Sequence, residues 1–523
     1  MSTGAPKKMV KVTIDGRELE VEEGLPLIDA AARLGIDIPR FCYHPNLPVA
    51  GNCRMCAVEV DKARGLPISC ATPCTDGMVS RTQTDAVKKH RAGVMEFLLV
   101  NHPIDCPICD QAGECSLQQY YMEHDRQTSR LEVDKVHYDK RVAIGPRVVL
   151  DQERCVECTR CVRFCDTVTG TGELRMVNRG DRNAITTFPG TSLDNDYSVN
   201  TADICPVGAL TQEDFRFKAR VWFLKDAPSI CPGCSRGCNI DVSVGAHPIV
   251  EDYAGKAFRV KPRNNDAVNQ AWMCDFGRTE YRRVNDARIT NDTAQALAKI
   301  AGDAAAALAA AGPKALVLTG FDATLEEMSM AQSLAARLGC RVMALPLRAD
   351  GKSDKLLIEA DKHPNRLGAE WLGIAATAAD LGAALSGAKA VLIHGVDVVG
   401  AHPQHAAALQ RVPVRVVVAA QHSPTSEMAT HLLAGVSFVE KDGHWVNSAG
   451  RVQRLRKPHD WRIAAGREDD LRLLAGLGAA DGSVNVADIF AQLARRVPQL
   501  TGMNFNSSGS LGVQGGVITE ATS

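Results

Sequence analysis

The alternation of apolar and polar positions is clearest near the N-terminus. Val10, Val12 and Ile14 alternate with polar residues up to Asp15-Gly16, and Leu19 and Val21 resume the alternation beyond it. Such a pattern predicts a hairpin over 9–22 with a two-residue turn in which Gly16 supplies the positive φ. Over 26–36 the period changes: Leu27, Ile28, Ala31 and Leu34 fall on one helical face, and Gly35 ends the helix. Two strands, a helix and then a cysteine loop suggest a ferredoxin-type β-grasp domain ending near Thr84. Residues 86–100 read as a second amphipathic helix leading into another cysteine-rich loop.

After Arg282 the texture shifts to helices alternating with short, fully apolar strands. Helices are expected over 291–311, 325–338, 376–385 and 404–411, and strands over 315–319, 341–345, 390–394 and 415–420. This alternation argues for a parallel, doubly wound α/β layer. Residues 437–457 read as an irregular segment lying against that layer. The stretch from Gly502, rich in Gly, Ser and Asn, is expected to be disordered.

A chain of 523 residues exceeds one domain, and three or four are expected. A formal net charge of −1 gives no basic field for nucleic acid. The longest apolar stretches, around 389–399 and 412–420, fall short of the ~20 residues of a spanning helix. The start, MSTGAPKKMVKVTIDG, has neither the apolar core nor the cleavage site of a secretory signal. A cytosolic, non-spanning protein is expected. Eighteen cysteines then point to metal rather than to a disulfide framework, which belongs to short exported chains.

All but three of the cysteines, with one histidine, fall into four sets. Cys42, Cys53, Cys56 and Cys70 form C-x10-C-x2-C-x13-C, and four thiolates directly after a β-grasp pattern suit a [2Fe–2S] pair; a zinc site has similar close pairs. His102, Cys106, Cys109 and Cys115, in HPIDCPICDQAGEC, could hold a Cys3His zinc or a [4Fe–4S] cubane with one imidazole ligand. The three other sets favour the cubane. Cys155, Cys158 and Cys161 with remote Cys205, in RCVECTRC and DICPVGAL, match the bacterial ferredoxin pattern for a cubane. Cys231, Cys234, Cys238 and Cys274, in CPGCSRGC and WMCDFGR, could hold a further cubane or a structural zinc. Cys74, Cys165 and Cys340 are left as packing residues. No side chain needs to act as nucleophile, acid or base, so no catalytic residue is expected, and His44 reads as solvated or as a neighbour of the cysteine loop. The runs of redox centres read as a wire for electrons.

In this order, FCYHPNLPVAGNCRMC, HPIDCPICDQAGEC, RCVECTRCVRFC and ICPVGAL resemble the large iron–sulfur subunit (75-kDa type) of respiratory complex I, the proton-translocating NADH:quinone oxidoreductase. CPGCSRGC, AWMCDFGR and FVEKDGHWVNSAGRVQ are similar to the molybdopterin-oxidoreductase-like domain of that family. The resemblance implies an electron-transfer subunit that passes electrons from a flavin- and NADH-binding partner towards quinone-side subunits. It implies one [2Fe–2S] and two or three [4Fe–4S] clusters, the fourth set resembling an extra cubane off the main path. The chain is short for the family, and no molybdenum cofactor is expected. Membrane association would come only through partners, at the cytoplasmic face of the inner (plasma) membrane. A soluble NAD-linked hydrogenase or formate dehydrogenase subunit shares the N-terminal modules and is the alternative; a zinc-stapled scaffold is a third reading.

The expected fold is multidomain α+β and α/β. It runs as a 2Fe–2S β-grasp domain over 8–85, a His/Cys3 4Fe–4S segment over 86–143 and a 4Fe–4S ferredoxin-like domain over 144–222. A 4Fe–4S molybdopterin-oxidoreductase-type domain over 223–285 and a reduced α/β domain of the same kind over 286–465 follow. A helical segment and disordered tail complete the chain over 466–523.

Overall fold

The computed structural model describes residues 8–125, 128–245, 251–458, 461, 463–480 and 484–515. The chain divides into two compact units, Met1–Trp222 and Phe223–Ser523.

In the first unit, β1 (Met9–Ile14) and β2 (Arg17–Glu22) form the expected antiparallel hairpin, with Val10 opposite Val21 and Val12 opposite Leu19. Asp15 and Gly16 both take positive φ at the two-residue turn. β3 (Glu59–Val60) and β4 (Met78–Arg81) complete a sheet of order β2-β1-β4-β3 in which β1 and β4 run parallel. Helix Leu27–Arg33 places Leu27, Ile28 and Ala31 on Val10, Val12 and Ile14. This is a β-grasp. Helix Asp85–Leu99 starts at Thr84, whose side chain accepts from the Val87 amide. β5 (Val142–Ala143), β6 (Val148–Leu150) and β9 (Leu210–Gln212) make a small antiparallel sheet, with the hairpin of β7 (Arg175–Val177) and β8 (Ala184–Thr186) between them in sequence.

The second unit opens with three antiparallel strands, β10 (Leu224–Ile230), β11 (Asn239–Gly245) and β12 (Ala257–Pro262). A five-stranded parallel sheet follows: β13 (Ala315–Gly320), β14 (Arg341–Leu345), β15 (Ala390–His394), β16 (Val414–Ala419) and β17 (His431–Ala434), in the order β14-β13-β15-β16-β17. Successive side chains on a strand face opposite ways. Ala315 and Val317 thus pack with Leu297, Leu308 and Met328, from helices Ala294–Ala311 and Leu325–Leu338. Leu316 and Leu318 pack with Leu381, Leu385 and Leu409, from helices Ala378–Leu385 and Ala406–Gln410. Both faces are covered, which is why these strands read as unbroken apolar runs.

Two expectations need correction. Residues 437–457 are not irregular: β18 (Gly443–Val446) and β19 (Arg451–Leu455) pair antiparallel across a turn at Asn447–Gly450. Nor is the stretch after Gly502 disordered as far as it is described. Met503 and Ser508 are buried, and β20 (Val513–Gln514) pairs with β19. Its Gly, Ser and Asn make turns rather than free chain. Residues 516–523 lie outside the described residues. Among the described residues no helix is long and apolar enough to cross a membrane.

Candidate metal centres

Each of the four sets is brought together by the fold. In the first, the loop Gly51–Cys56 turns through positive φ at Gly51 and Arg54, so that Cys53 and Cys56 come from one tight bend. The Cys42 amide donates to Cys53 Sγ at 3.5 Å. Ser69, beside Cys70, donates through both its amide and its hydroxyl to the Cys56 carbonyl, at 3.0 and 2.8 Å. The sulfurs stand in two couples. A hydrogen bond with Cys53 pulls the Cys42 thiol down to about 5 and pushes Cys53 up. The same contact with Cys70 brings Cys56 to about 7 and raises Cys70. Two cysteines per iron is the ligand pattern of a binuclear cluster, so this set fits [2Fe–2S]. Cys74 lies in the β-grasp core, raised by burial, as a packing thiol. His44 is brought down to about 4 by burial and by Arg160, Arg163 and Arg40, and its Nδ1 accepts from the Asn46 amide.

The second set lines a cavity of about 820 Å³, shared with Leu117, Tyr121, Arg154 and Gly208. His102 is brought down to about 4 by burial, aided by Arg154 and Lys135, so its imidazole is neutral. Its buried Nδ1 has no hydrogen-bond partner among the described residues. A neutral imidazole nitrogen left bare and buried beside three cysteines suits a metal ligand. Burial raises Cys109, and pushes Cys115 up to about 11. Gly208 is required here, because a Cβ at that position would fall inside van der Waals contact of Cys109 Sγ.

In the third set, Cys155, Cys158, Cys161 and Cys205 line one apolar pocket with Leu150, Ile185, Val207 and Leu210. Glu157 and Thr159 take positive φ, which curls the C-x2-C-x2-C run around that pocket, and Cys161 lies in the first turn of helix Arg160–Thr167. Burial raises all four thiols, Cys158 to about 11. Backbone amides oppose this: Glu157 donates to Cys155 Sγ at 3.4 Å, and the amides of Val207, Leu210 and Ala209 pull Cys205 down. Cys165 is fully buried further along the helix, outside the pocket lining, and pushed up to about 12 by burial and Glu173.

The fourth set belongs to the second unit. The Cys231 amide donates to the Cys238 carbonyl at 2.9 Å and closes the C-x2-C-x3-C loop, with Gly237 in positive φ. The long gap to Cys274 is taken up by β11 and β12, which run out and back. A Cβ on Gly277 would stand 2.7 Å from Cys231 Sγ. Burial raises Cys231 and Cys238 well above the usual thiol range and Cys274 to about 11.

Among the described residues, no three ligand atoms of the cysteine sets lie within 4.8 Å of one another. Tetrahedral zinc, with Zn–S near 2.3 Å, holds its ligands about 3.8 Å apart. Among the described residues, three ligand atoms mutually within 4.8 Å occur in one group, Glu327, His394 and Asp470, none of them in the cysteine sets. That group already holds a cation. Lys441 Nζ lies 2.7 Å from Glu327 Oε1 and 2.8 Å from Asp470 Oδ2. This network joins residues far apart in sequence, and periodicity and spacing gave no sign of it.

The order in space differs from the order in sequence. The first and third sets are neighbours: Asn52 Nδ2 donates to the Glu157 carbonyl at 3.0 Å, and Arg160 donates to the carbonyls of Tyr43 and Ile204 at 2.6 and 3.1 Å. The third and second sets are neighbours: Arg154 grips Asp105, and the Ser116 amide donates to the Pro206 carbonyl at 2.9 Å. One apolar cluster, built on Phe41, Met55, Met95, Leu117, Tyr120 and Val207, touches cysteines of all three. Phe41 and Tyr120 meet edge to face at 5.3 Å within it.

Four family models match in succession: a 2Fe-2S iron-sulfur cluster binding domain over residues 7–85, the NADH-ubiquinone oxidoreductase-G iron-sulfur binding region over 91–130, the ferredoxin-like domain of NADH-quinone oxidoreductase subunit 3 over 145–211, and the molybdopterin oxidoreductase Fe4S4 domain over 224–286. A subunit of the NADH-quinone oxidoreductase of Streptomyces coelicolor is 44% identical over 53% of this chain and 32% of its own length. The corresponding subunit of Rickettsia bellii is 38% identical over 64% of this chain and 49% of its own. NADH dehydrogenase [ubiquinone] iron-sulfur protein 1, mitochondrial, of Solanum tuberosum is 42% identical over 54% and 38%. The chain thus spans between about a third and a half of the length of the curated relatives it matches. Over residues 7–286 it is similar, module by module, to the iron–sulfur region of these bacterial NADH-quinone oxidoreductase subunits and of their mitochondrial counterparts.

Proposed function

We propose that this chain is an electron-transfer iron–sulfur subunit of a proton-translocating NADH:quinone oxidoreductase. The observation that carries the reading is the adjacency of three cysteine sets around one apolar cluster in the first unit. Cys42, Cys53, Cys56 and Cys70 hold a [2Fe–2S] cluster in this reading. His102, Cys106, Cys109 and Cys115 hold one cubane, and Cys155, Cys158, Cys161 and Cys205 a second. Cys231, Cys234, Cys238 and Cys274 hold a third, in a molybdopterin-oxidoreductase-type module over 223–285. When bound, such clusters supply one-electron carriers whose potentials follow charge, hydrogen bonding and burial.

The chain's own residues do the rest. Leu150, Ile185, Val207 and Leu210 keep water from the third set. Amide donors to Cys53 and Cys155 stabilise thiolate charge. The sequence of neighbours, first set to third to second, gives a route through the first unit. Electrons would enter from a flavin- and NADH-binding partner and leave towards quinone-side subunits, with the membrane reached through those partners. The parallel layer after Arg282 serves as scaffold.

The test is reduction of the anaerobically prepared chain by NADH with a flavin-bearing partner, followed by EPR. Cluster signals that develop with NADH only when the partner is present support the reading. A chain that dithionite reduces but NADH with the partner does not would overturn it.

A further inference from the structure

Arg163 stands between the first and third sets and belongs to neither. A single nitrogen, Nη2, donates to the carbonyl of Cys42 at 2.5 Å and to the carbonyl of Cys158 at 3.2 Å. These two carbonyls belong to cysteines of different sets. Nη1 donates to the Pro48 carbonyl and Nε to Thr159 Oγ1 at 3.2 Å, so every guanidinium nitrogen is fixed. No carboxylate forms an ion pair with Arg163 among the described residues. Its bonds go only to backbone carbonyls and one hydroxyl, on the loops of both sets. Its charge is therefore left for the metal sites rather than spent on an acid.

We infer that Arg163 is a shared positioning residue for the binuclear centre and the third-set cubane, clamping their ligand loops together and raising both reduction potentials through one positive charge. The inference rests on the cluster assignment proposed above. Adding one electron to either centre adds one negative charge and breaks no bond, so a fixed cation beside both favours the reduced form of each. A planar fork meets two carbonyl groups at once, whereas a lysine ammonium is a compact point charge on a flexible stem. Arg160 provides the contrast. It also bridges the two loops, through the Tyr43 and Ile204 carbonyls, but it lines the pocket of the third set alone.

The test is an EPR-monitored redox titration of the full chain, anaerobic and loaded with iron and sulfide, as wild type and as Arg163→Met, Arg163→Lys and Arg160→Met. Arg163→Met is expected to lower the binuclear and third-set potentials together while the His102 centre stays in place. Arg160→Met is expected to lower the third-set potential more than the binuclear one. Should Arg163→Met lose iron at either site, Arg163→Lys decides, with both potentials moving in the same direction by a smaller amount. A full iron content with only one centre shifted, or neither, in the deciding variant overturns the inference. A wild-type chain with no reducible iron–sulfur signal would overturn the underlying assignment instead, so the two failures are distinguishable.

Discussion

Arg154 Nη2 donates to both carboxylate oxygens of Asp105, at 2.8 and 2.7 Å, and each residue stands one position ahead of a cysteine from a different set, Cys155 and Cys106. Through Nη1 the same guanidinium reaches Asp151 at 3.3 Å. One charged nitrogen shared between both carboxylate oxygens ties the two cysteine loops together. Arg154→Met leaves Asp105 and buried Asp151 without their guanidinium. Breaking a buried pair from one side costs about 3–5 kcal/mol, and Lys140, 3.5 Å from Asp105, keeps the loss near the lower figure. Denaturant titration of the full chain checks this, the expected result being an earlier transition for the first unit. An unchanged midpoint would remove the pair from the account.

Gly208→Ala tests the close approach at the second set. The added methyl meets Cys109 Sγ, so the cubane there is expected to be lost while the third set keeps its own, with about four fewer irons per chain. Iron analysis paired with EPR reads both. A variant with full iron would show that the cysteine can move aside.

His102→Cys replaces a neutral imidazole by a thiolate and adds one negative charge to the centre. The midpoint potential of that centre is expected to fall. A rise in the EPR-monitored titration contradicts the assignment of His102 as ligand.

Much of this was legible in the chain before any coordinate. The spans 325–338, 341–345 and 390–394 emerge with their predicted ends, because strands covered on both faces are uniformly apolar and the helix carries its own capping box at Thr324 and Glu327. β17 escaped notice because its four residues begin at His431, and β18 because His444 sits within it. That histidine is buried, its ring held to Glu326 at 2.7 Å. A buried hydrogen bond can make a polar residue part of a core, and no periodicity records it. Cysteine spacing picked out the four sets that the fold gathers, whereas no pattern singled out Arg163, Arg154 or Lys441. Their partners are set by tertiary folding alone.

The Lys441 network predicts the pH limits of the second unit. Burial pushes the Asp470 carboxyl up, but the Lys441 ammonium and the His394 contact outweigh it and hold it well below the usual range. An acid depressed in the folded state contributes stability above its unfolded value of ~3.9 and loses it as pH falls below that. Burial lowers Lys441, yet Asp470 and Glu327 raise it overall, so its contribution is present below ~10.4 and fades above. Asp469, pushed up to about 6 by burial and its acidic neighbours, acts the other way and subtracts stability as pH rises from ~4 to that value. Thermal melts across pH should show losses below ~4 and above ~10.4. Lys441→Met leaves two carboxylates buried without their ammonium, is expected to cost about 3–5 kcal/mol, and should flatten the acid limb. A wild-type-like melt profile in that variant would contradict the network's role.

The most direct measurement is the metal and acid-labile sulfide content of the anaerobically purified chain, read beside its EPR spectrum after reduction. One binuclear and three cubane sites predict about fourteen irons per chain, sulfide in equal number, and a brown protein with reducible centres. Zinc in place of iron, without sulfide and without any signal on reduction, would contradict the account at its root.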